Sequence, residues 1–468
     1  MNERAELSQE ARPVAGAAGA QALQRELFGW AWLAVGALAV AGVFALLLAL
    51  SRIPGMDRAP FWPLGFFYKG LVIHVVFSLV IWLLAVFAFL VSAATLDACP
   101  GPVLAAPLGW IGQGLVVAAF PCLFAPALFD ATLPELSNYI PLIRHPLYDL
   151  GLVLLALGVL APVGRLMVNL PGAARPLPSL AFAMAAAGFV FALALIALVI
   201  AGALLAHQGS LSASREPFFW GGGHLMQFAY AALMLANWRI LAGGSLGWTD
   251  ADDGPFRLAL LLAALLALPG PFFYALFDPF SPAQRGAFRL LQFGLAAPTL
   301  LFGAFLLRKA WRLGRPGRWP WDDAAFFALA ASLALFALGG VMGFLIAGAD
   351  TRMPAHYHAV ITAVSVSSAG MLLTFGLDKL GRAPISARAI RGVIGLYAGG
   401  QFIASIGMFV AGGYGAARKT PTGSLDPVAA AGMAVHGVAS VFTIIGGAAF
   451  VVIATRALMR ASAPADRF

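Results

Sequence analysis

Long runs of apolar residues, broken by short polar segments, repeat from one end of the chain to the other. Runs of about 20 residues or more, enough for a helix to cross a bilayer, lie near 27–50, 71–95, 103–127, 147–168, 178–206 and 217–240. Six more lie near 255–276, 287–309, 323–347, 354–378, 390–412 and 427–456. They are rich in Leu, Ala, Phe and Gly and lack the period-two alternation of a membrane barrel, so helices are the one spanning structure left. The pattern predicts an all-α membrane protein with twelve transmembrane helices. Residues 1–26 read as a polar N-terminal segment, 27–457 as one transmembrane domain and 458–468 as a tail. The first segment mixes Glu3, Arg4, Glu6, Glu10, Arg12 and Arg25 and shows no apolar core with a cleavage site. The first span is therefore expected to direct insertion.

Composition agrees: 61% of the 468 residues are hydrophobic and 10% charged, far from the balance of a water-soluble domain. The net charge of +9 does not point to nucleic acid, because the basic residues sit in short loops between spans. They concentrate on one side, in Arg308, Lys309, Arg312, Arg315 and Arg318 and again in Lys379, Arg382, Arg388 and Arg391. That asymmetry predicts a multi-pass protein of a bacterial-type inner membrane with both termini cytoplasmic. Cys99 and Cys122 fall near opposite ends of one span, on the order of 30 Å apart at the helical rise. No disulfide can join them, and both read as structural.

The seven histidines change the picture. With this topology all fall in the outer half of the membrane or its outer loops: His74 early in the second span, His224 early in the sixth, His356 and His358 at the start of the tenth, His436 within the twelfth, and His145 and His207 at span ends. Ionisable groups inside a bilayer are rare and commonly functional. His356 and His358 are two residues apart, so on a helix they point about 200° apart and cannot bind one metal together. They can serve two cofactors, one on each side, with His74 offering a second axial ligand for a six-coordinate haem iron.

These residues resemble the subunit I family of haem–copper oxidases, its B-type branch most closely. The tenth span, MPAHYHAVITAVSVSSAG, is similar to the family's His-x-His helix, which implies His356 on a high-spin haem and His358 on a low-spin haem. YKGLVIHVVF resembles the helix that supplies the other low-spin ligand, here His74. SNYIPLIRHPLYDLGL is similar to the family's segment entering the fourth span. Arg418 and Lys419 stand where the family holds haem propionates. The resemblance implies two haems of unspecified type and an electron donor, either a small cupredoxin-like subunit or a cytochrome c. It implies electrons passing from the low-spin to the high-spin haem.

The departures bear on chemistry. FFWGGGHLMQF keeps Trp220, Gly223 and His224 where the family's first copper ligand stands, but Leu225 and Phe228 replace its proline and cross-linked tyrosine. In PGPFFYALFDP, Asp278-Pro279 holds the register while Phe273 and Tyr274 occupy the positions of the two remaining copper histidines. Copper selects several nitrogen ligands in a defined geometry, so copper is expected to be absent and His224 vestigial. His224, Gln227 and Tyr274 are then the candidates for a distal pocket over the high-spin haem, binding or reducing a diatomic gas such as O2 or NO. The eighth span offers Gln292 and Thr299 but no lysine or hydroxyl ladder, and Tyr230 and Asn237 are the main polar groups below His224.

Two other readings stay open at this stage. One is a non-catalytic electron-transfer or gas-sensing haem protein. The other is a twelve-span secondary transporter, since GLDKLGR (Gly376 to Arg382) echoes a major facilitator loop. That loop falls between the tenth and eleventh spans rather than the second and third, and buried coupling carboxylates are scarce.

Overall fold

In lipid a segment must satisfy its own backbone, and a helix does so throughout its interior. The computed structural model describes residues 3–50, 66–99, 101–129, 132–135, 141–210, 215–346, 348, 350–418 and 426–460. Among these, twelve helices are long and apolar enough to cross a membrane: α1 (Gln21–Leu50), α2 (Phe67–Ala98), α3 (Pro107–Leu128), α4 (Pro146–Gly172), α5 (Ser179–His207), α6 (Glu216–Leu246), α7 (Gly254–Leu276), α8 (Pro282–Arg312), α9 (Ala324–Phe344), α10 (Arg352–Lys379), α11 (Ala387–Gly413) and α12 (Pro427–Met459). Polar side chains punctuate them. The His145 side chain accepts the Leu147 N–H at the start of α4, and Ser281, Asp323, Ser386 and Asp426 cap α8, α9, α11 and α12 in the same way. Such caps satisfy amides that have no intrahelical partner.

The helices are unequally buried inside the chain. α2, α10 and α6 have 83%, 78% and 72% of their most apolar window buried, against 50% for the next, α11. These three helices carry His74, His356 with His358, and His224. Both α2 and α10 contain a widened π-helical turn, at Val76–Ile81 and Leu372–Gly376. The first of these begins two residues after His74, and π-turns within α-helices occur frequently at functional sites.

Contacts group the chain into two compact units. The first comprises 1–233 with 257–298, the second 234–256 with 299–468. In the first unit, α4 and α1 are tied by a buried ion pair: Arg165 donates to both Glu26 oxygens at 2.5 and 2.8 Å. Ser92 of α2 and the Trp30 indole donate to the same carboxylate at 2.6 and 3.3 Å. Helix runs through Glu26, and Arg165 offsets its charge. A short antiparallel pair, β1 (Pro134–Glu135) and β2 (Leu142–Ile143), precedes α4. Glu135 pairs with Arg144 at 2.8 Å and accepts the Arg215 N–H at 2.9 Å, while Arg215 forks onto Asp149 at 3.0 and 2.8 Å. The segment entering α4 is thereby fastened to the start of α6. Cys99 and Cys122 are both free thiols.

In the second unit, α11 and α12 pack through glycines. A Cβ added at Gly407 would stand 2.6 Å from the Gly432 carbonyl, and one at Gly432 would stand 2.7 Å from that of Gly407. Small residues of this kind let membrane helices approach closely. Trp238 of α6 donates to Ser332 of α9 at 2.8 Å, and Ser332 donates to the Ala363 carbonyl of α10 at 2.7 Å. Asn237 donates to Ser368 at 3.0 Å. The α6–α7 loop is held by Arg239 on Asp253 (2.5 Å) and Asp250 (2.8 Å) and by Lys309 on Asp252. The Lys309 ammonium and the Thr249 backbone hold the Asp252 carboxyl down to about 2.

Candidate functional site

A histidine can ligate a metal when one ring nitrogen keeps its lone pair and the other is held by a partner that fixes the ring. A carbonyl oxygen only accepts, so an imidazole nitrogen bonded to one must carry the proton. In the first unit, His74 Nδ1 donates to the Ala41 carbonyl of α1 at 3.0 Å. This fixes the tautomer with the lone pair on Nε2. Ser78 donates back to the His74 carbonyl at 2.6 Å, within the π-turn, where the normal ladder is interrupted.

His224 is fully buried and its Nδ1 donates to the Trp220 carbonyl at 2.6 Å. Aromatic rings crowd it. Trp220 lies 5.1 Å away and Phe288 of α8 5.6 Å away, centroid to centroid. Phe288 also meets Phe273 at 5.1 Å and Tyr274 at 5.8 Å. The Tyr274 hydroxyl and the Phe288 ring both press on Gly221, where a Cβ would collide with them. Gln227 turns to Gln292 of α8, whose amide donates to it at 2.5 Å. Of the three proposed distal residues, His224 and Tyr274 thus share Phe288 as a neighbour, whereas Gln227 is engaged with Gln292.

In the second unit, the two histidines of α10 turn to different helices. His356 Nδ1 donates to the Gly339 carbonyl of α9 at 2.7 Å. Its ring lies flat enough on α9 that a Cβ at Gly343 would stand 2.9 Å from Cε1. His358 faces α11 instead, with Nδ1 3.1 Å from the Gln401 amide nitrogen. As placed, the amide nitrogen donates to Nδ1, which puts the ring proton on Nε2; the amide turned end for end would accept from Nδ1–H and leave the lone pair on Nε2. Gln401 also reaches Ser405 at 3.4 Å. His436 of α12 meets His358 edge to face at 6.4 Å, and its own Nδ1 donates to the Ala404 carbonyl at 3.2 Å. Arg418 lies over the Tyr357 ring at 5.8 Å and against the Met353 sulfur at 2.9 Å. Lys419, its expected companion, lies outside the described residues. The loops around Arg418 are clamped by an isolated bridge from Asp350 to Ala417 and by Thr351 N–H to the Ala416 carbonyl at 3.1 Å. Arg352 forks onto Asp350 and holds that carboxyl below its usual range.

Gly339, Gly343, Phe288 and the Ala41 carbonyl are neighbours of these histidines that nothing in the sequence sets apart. Gln401 alone carries a signal, as an amide within an apolar span.

These imidazoles fit haem iron: His74 and His356 each present Nε2 as the lone-pair nitrogen, and His356 and His358 face different helices. The surroundings of His224 do not fit a three-nitrogen copper centre. Its neighbours are aromatic, and among the described residues no three His, Cys, Asp or Glu side chains gather to hold a metal.

Comparison with known proteins agrees with the fold. The chain is 28% identical over 370 residues to an uncharacterized protein of Aquifex aeolicus, covering 75% of this chain and 84% of that protein. It is 23% identical over 487 residues to the uncharacterized protein RP382 of Rickettsia prowazekii, covering 90% and 94%. It superimposes on a haem–copper terminal oxidase, solved as a dimer by cryo-electron microscopy, with a TM-score of 0.76 and 18% identity, over 94% of this chain and 85% of that one. The model of the cytochrome c and quinol oxidase polypeptide I family matches residues 27–448. The transporter reading falls with that match: this chain belongs to the cytochrome c and quinol oxidase polypeptide I family, within the haem–copper oxidase superfamily.

Proposed function

We propose that the protein is a dihaem oxidoreductase subunit whose distal copper site has been dismantled. In this reading His74 and His358 would hold a low-spin haem and His356 a high-spin haem. Arg418 and Lys419 are assigned to propionates. Haem iron supplies one-electron redox chemistry and, where five-coordinate, an open position for a diatomic ligand. The observation that carries the reading is the opposed pair on α10, with His356 bonded to α9 and His358 set against α11. A structural histidine needs no such arrangement. Two imidazoles serving separate irons from one helix do.

The chain's own residues shape the two sites. Ala41, Gly339 and Gln401 orient rings; Gly343 leaves room for that of His356. The aromatic packing on His224 supports electron transfer or binding of O2 or NO over four-electron oxygen reduction. That reaction in the family draws on copper and a tyrosine for which Phe273, Tyr274 and Phe228 are poor substitutes. Electrons are supplied by a cupredoxin-like or cytochrome c partner, and both termini face the cytoplasm of a bacterial-type inner membrane. The test is spectroscopic. His74→Ala is expected to remove the low-spin signal of the purified protein and spare the high-spin one, and His356→Ala to do the reverse. Loss of neither signal, or of both together in well-folded variants, would refute the assignment.

A further inference from the structure

A basic cleft on the first unit is unused by this reading. About 370 Å³ in volume, it is lined by Trp220, Phe280, Pro282, Arg285 and Arg289. Arg285 and Arg289 are one turn apart on α8 and so share a face. Arg285 stacks over the Trp220 ring at 5.2 Å, and Arg289 is exposed. No carboxylate among the described residues forms an ion pair with either. The cleft wall is locked: Phe280 has φ of 66°, a left-handed conformation uncommon for a bulky residue. Its N–H donates to the buried Gln284 side chain at 2.7 Å, and Gln284 in turn donates to the Phe273 carbonyl at 3.2 Å.

The surroundings of the cleft name its occupant. The stripe of α8 that starts with Arg285 and Arg289 continues at the next turn with Phe293, which is 55% exposed; Leu290 beside it is 72% exposed and Leu276 at the end of α7 70%. Arg285 and Arg289 lie in the first two turns of α8, and an arginine at the end of a membrane helix reaches headgroup phosphates or water. A partner that offers an anion to two guanidinium groups and an apolar body to Phe293 and Leu290 is a lipid. We infer that Arg285, Arg289 and Trp220 form a binding site for the phosphate of an anionic phospholipid, with the acyl chains lying along α8. Guanidinium forks bind phosphate oxygens in pairs, and Trp220 supplies the amphipathic ring common at the level of the headgroups.

Native mass spectrometry of the delipidated full-length protein, titrated with phosphatidylglycerol or phosphatidylcholine, tests this. Phosphatidylglycerol is expected to bind about tenfold more tightly or better, as two charge-assisted contacts warrant. Arg285→Gln with Arg289→Gln should remove the preference, whereas Arg308→Gln with Arg312→Gln, at the other end of the same helix, should keep it. If the first pair aggregates, Arg285→Lys with Arg289→Lys retains charge without the fork and should weaken the preference without abolishing it. Equal affinity for the two lipids, preference surviving in the Gln pair, or inorganic phosphate competing as well as the lipid would each overturn the site.

Discussion

Replacing Arg165 by Met should be among the most damaging single substitutions in the chain, although it lies at no proposed cofactor ligand. Arg165 and Glu26 are 0% and 1% exposed. The substitution removes two charge-assisted hydrogen bonds to Glu26 of 2.5 and 2.8 Å, each worth about 1.5–3 kcal/mol, and a longer one of 3.3 Å to Ser92. It leaves a carboxylate with only Ser92 and Trp30 as side-chain donors. Breaking a buried pair from one side costs about 3–5 kcal/mol, and the two figures agree. Removing both charges, as Glu26→Met with Arg165→Met, leaves no stranded ion and should cost less than the single change. Equilibrium unfolding of the purified protein in detergent, run as a double-mutant cycle, measures the difference. A single variant within about 1 kcal/mol of the parent would refute the reasoning, set against the range expected for breaking a buried pair. So would a double variant that loses the sum of the two single losses.

Gly343→Ala should displace the His356 ring, at a cost of about 1–3 kcal/mol for overpacking, and weaken the high-spin signal while leaving the low-spin one; an unchanged high-spin spectrum would contradict the close approach. The Asp252–Lys309 clamp should contribute its full stabilisation above pH 4 or so. Because the folded carboxyl titrates at about 2, below its ordinary 3.8, that contribution is lost as pH falls through this window, and Asp252→Asn should flatten the acid limb of the stability profile. Elemental analysis should find no stoichiometric copper, and reconstituted vesicles should neither consume oxygen at oxidase-like rates nor pump protons; one copper per chain would show that the register assigned to Phe273 and Tyr274 is wrong.

The twelve spans can be read from apolar runs alone, because a bilayer admits few ways of satisfying a backbone. The opposed directions of His356 and His358 come from two-residue spacing on a helix. The pattern does not reveal which helices are most buried, since α1 and α2 have nearly the same mean hydropathy, 2.7 and 2.8, yet 28% and 83% of their most apolar windows are buried. Nor does it show the π-turn after His74, which depends on packing rather than composition. Nor does the sequence around Glu26 point to its partner Arg165, 139 residues away. The residues orienting the histidines are silent for a related reason: Ala41 and Gly339 contribute backbone carbonyls, and a carbonyl leaves no trace in residue type.

The central claim is that one chain holds two haems in different ligation states. A haemochrome assay of the purified full-length protein, with optical and electron paramagnetic resonance spectra on the same sample, tests it most directly. Two haems per chain are expected, one low-spin with bis-histidine character and one high-spin that binds carbon monoxide. Less than one haem per chain, or two low-spin haems with no response to carbon monoxide, would contradict it.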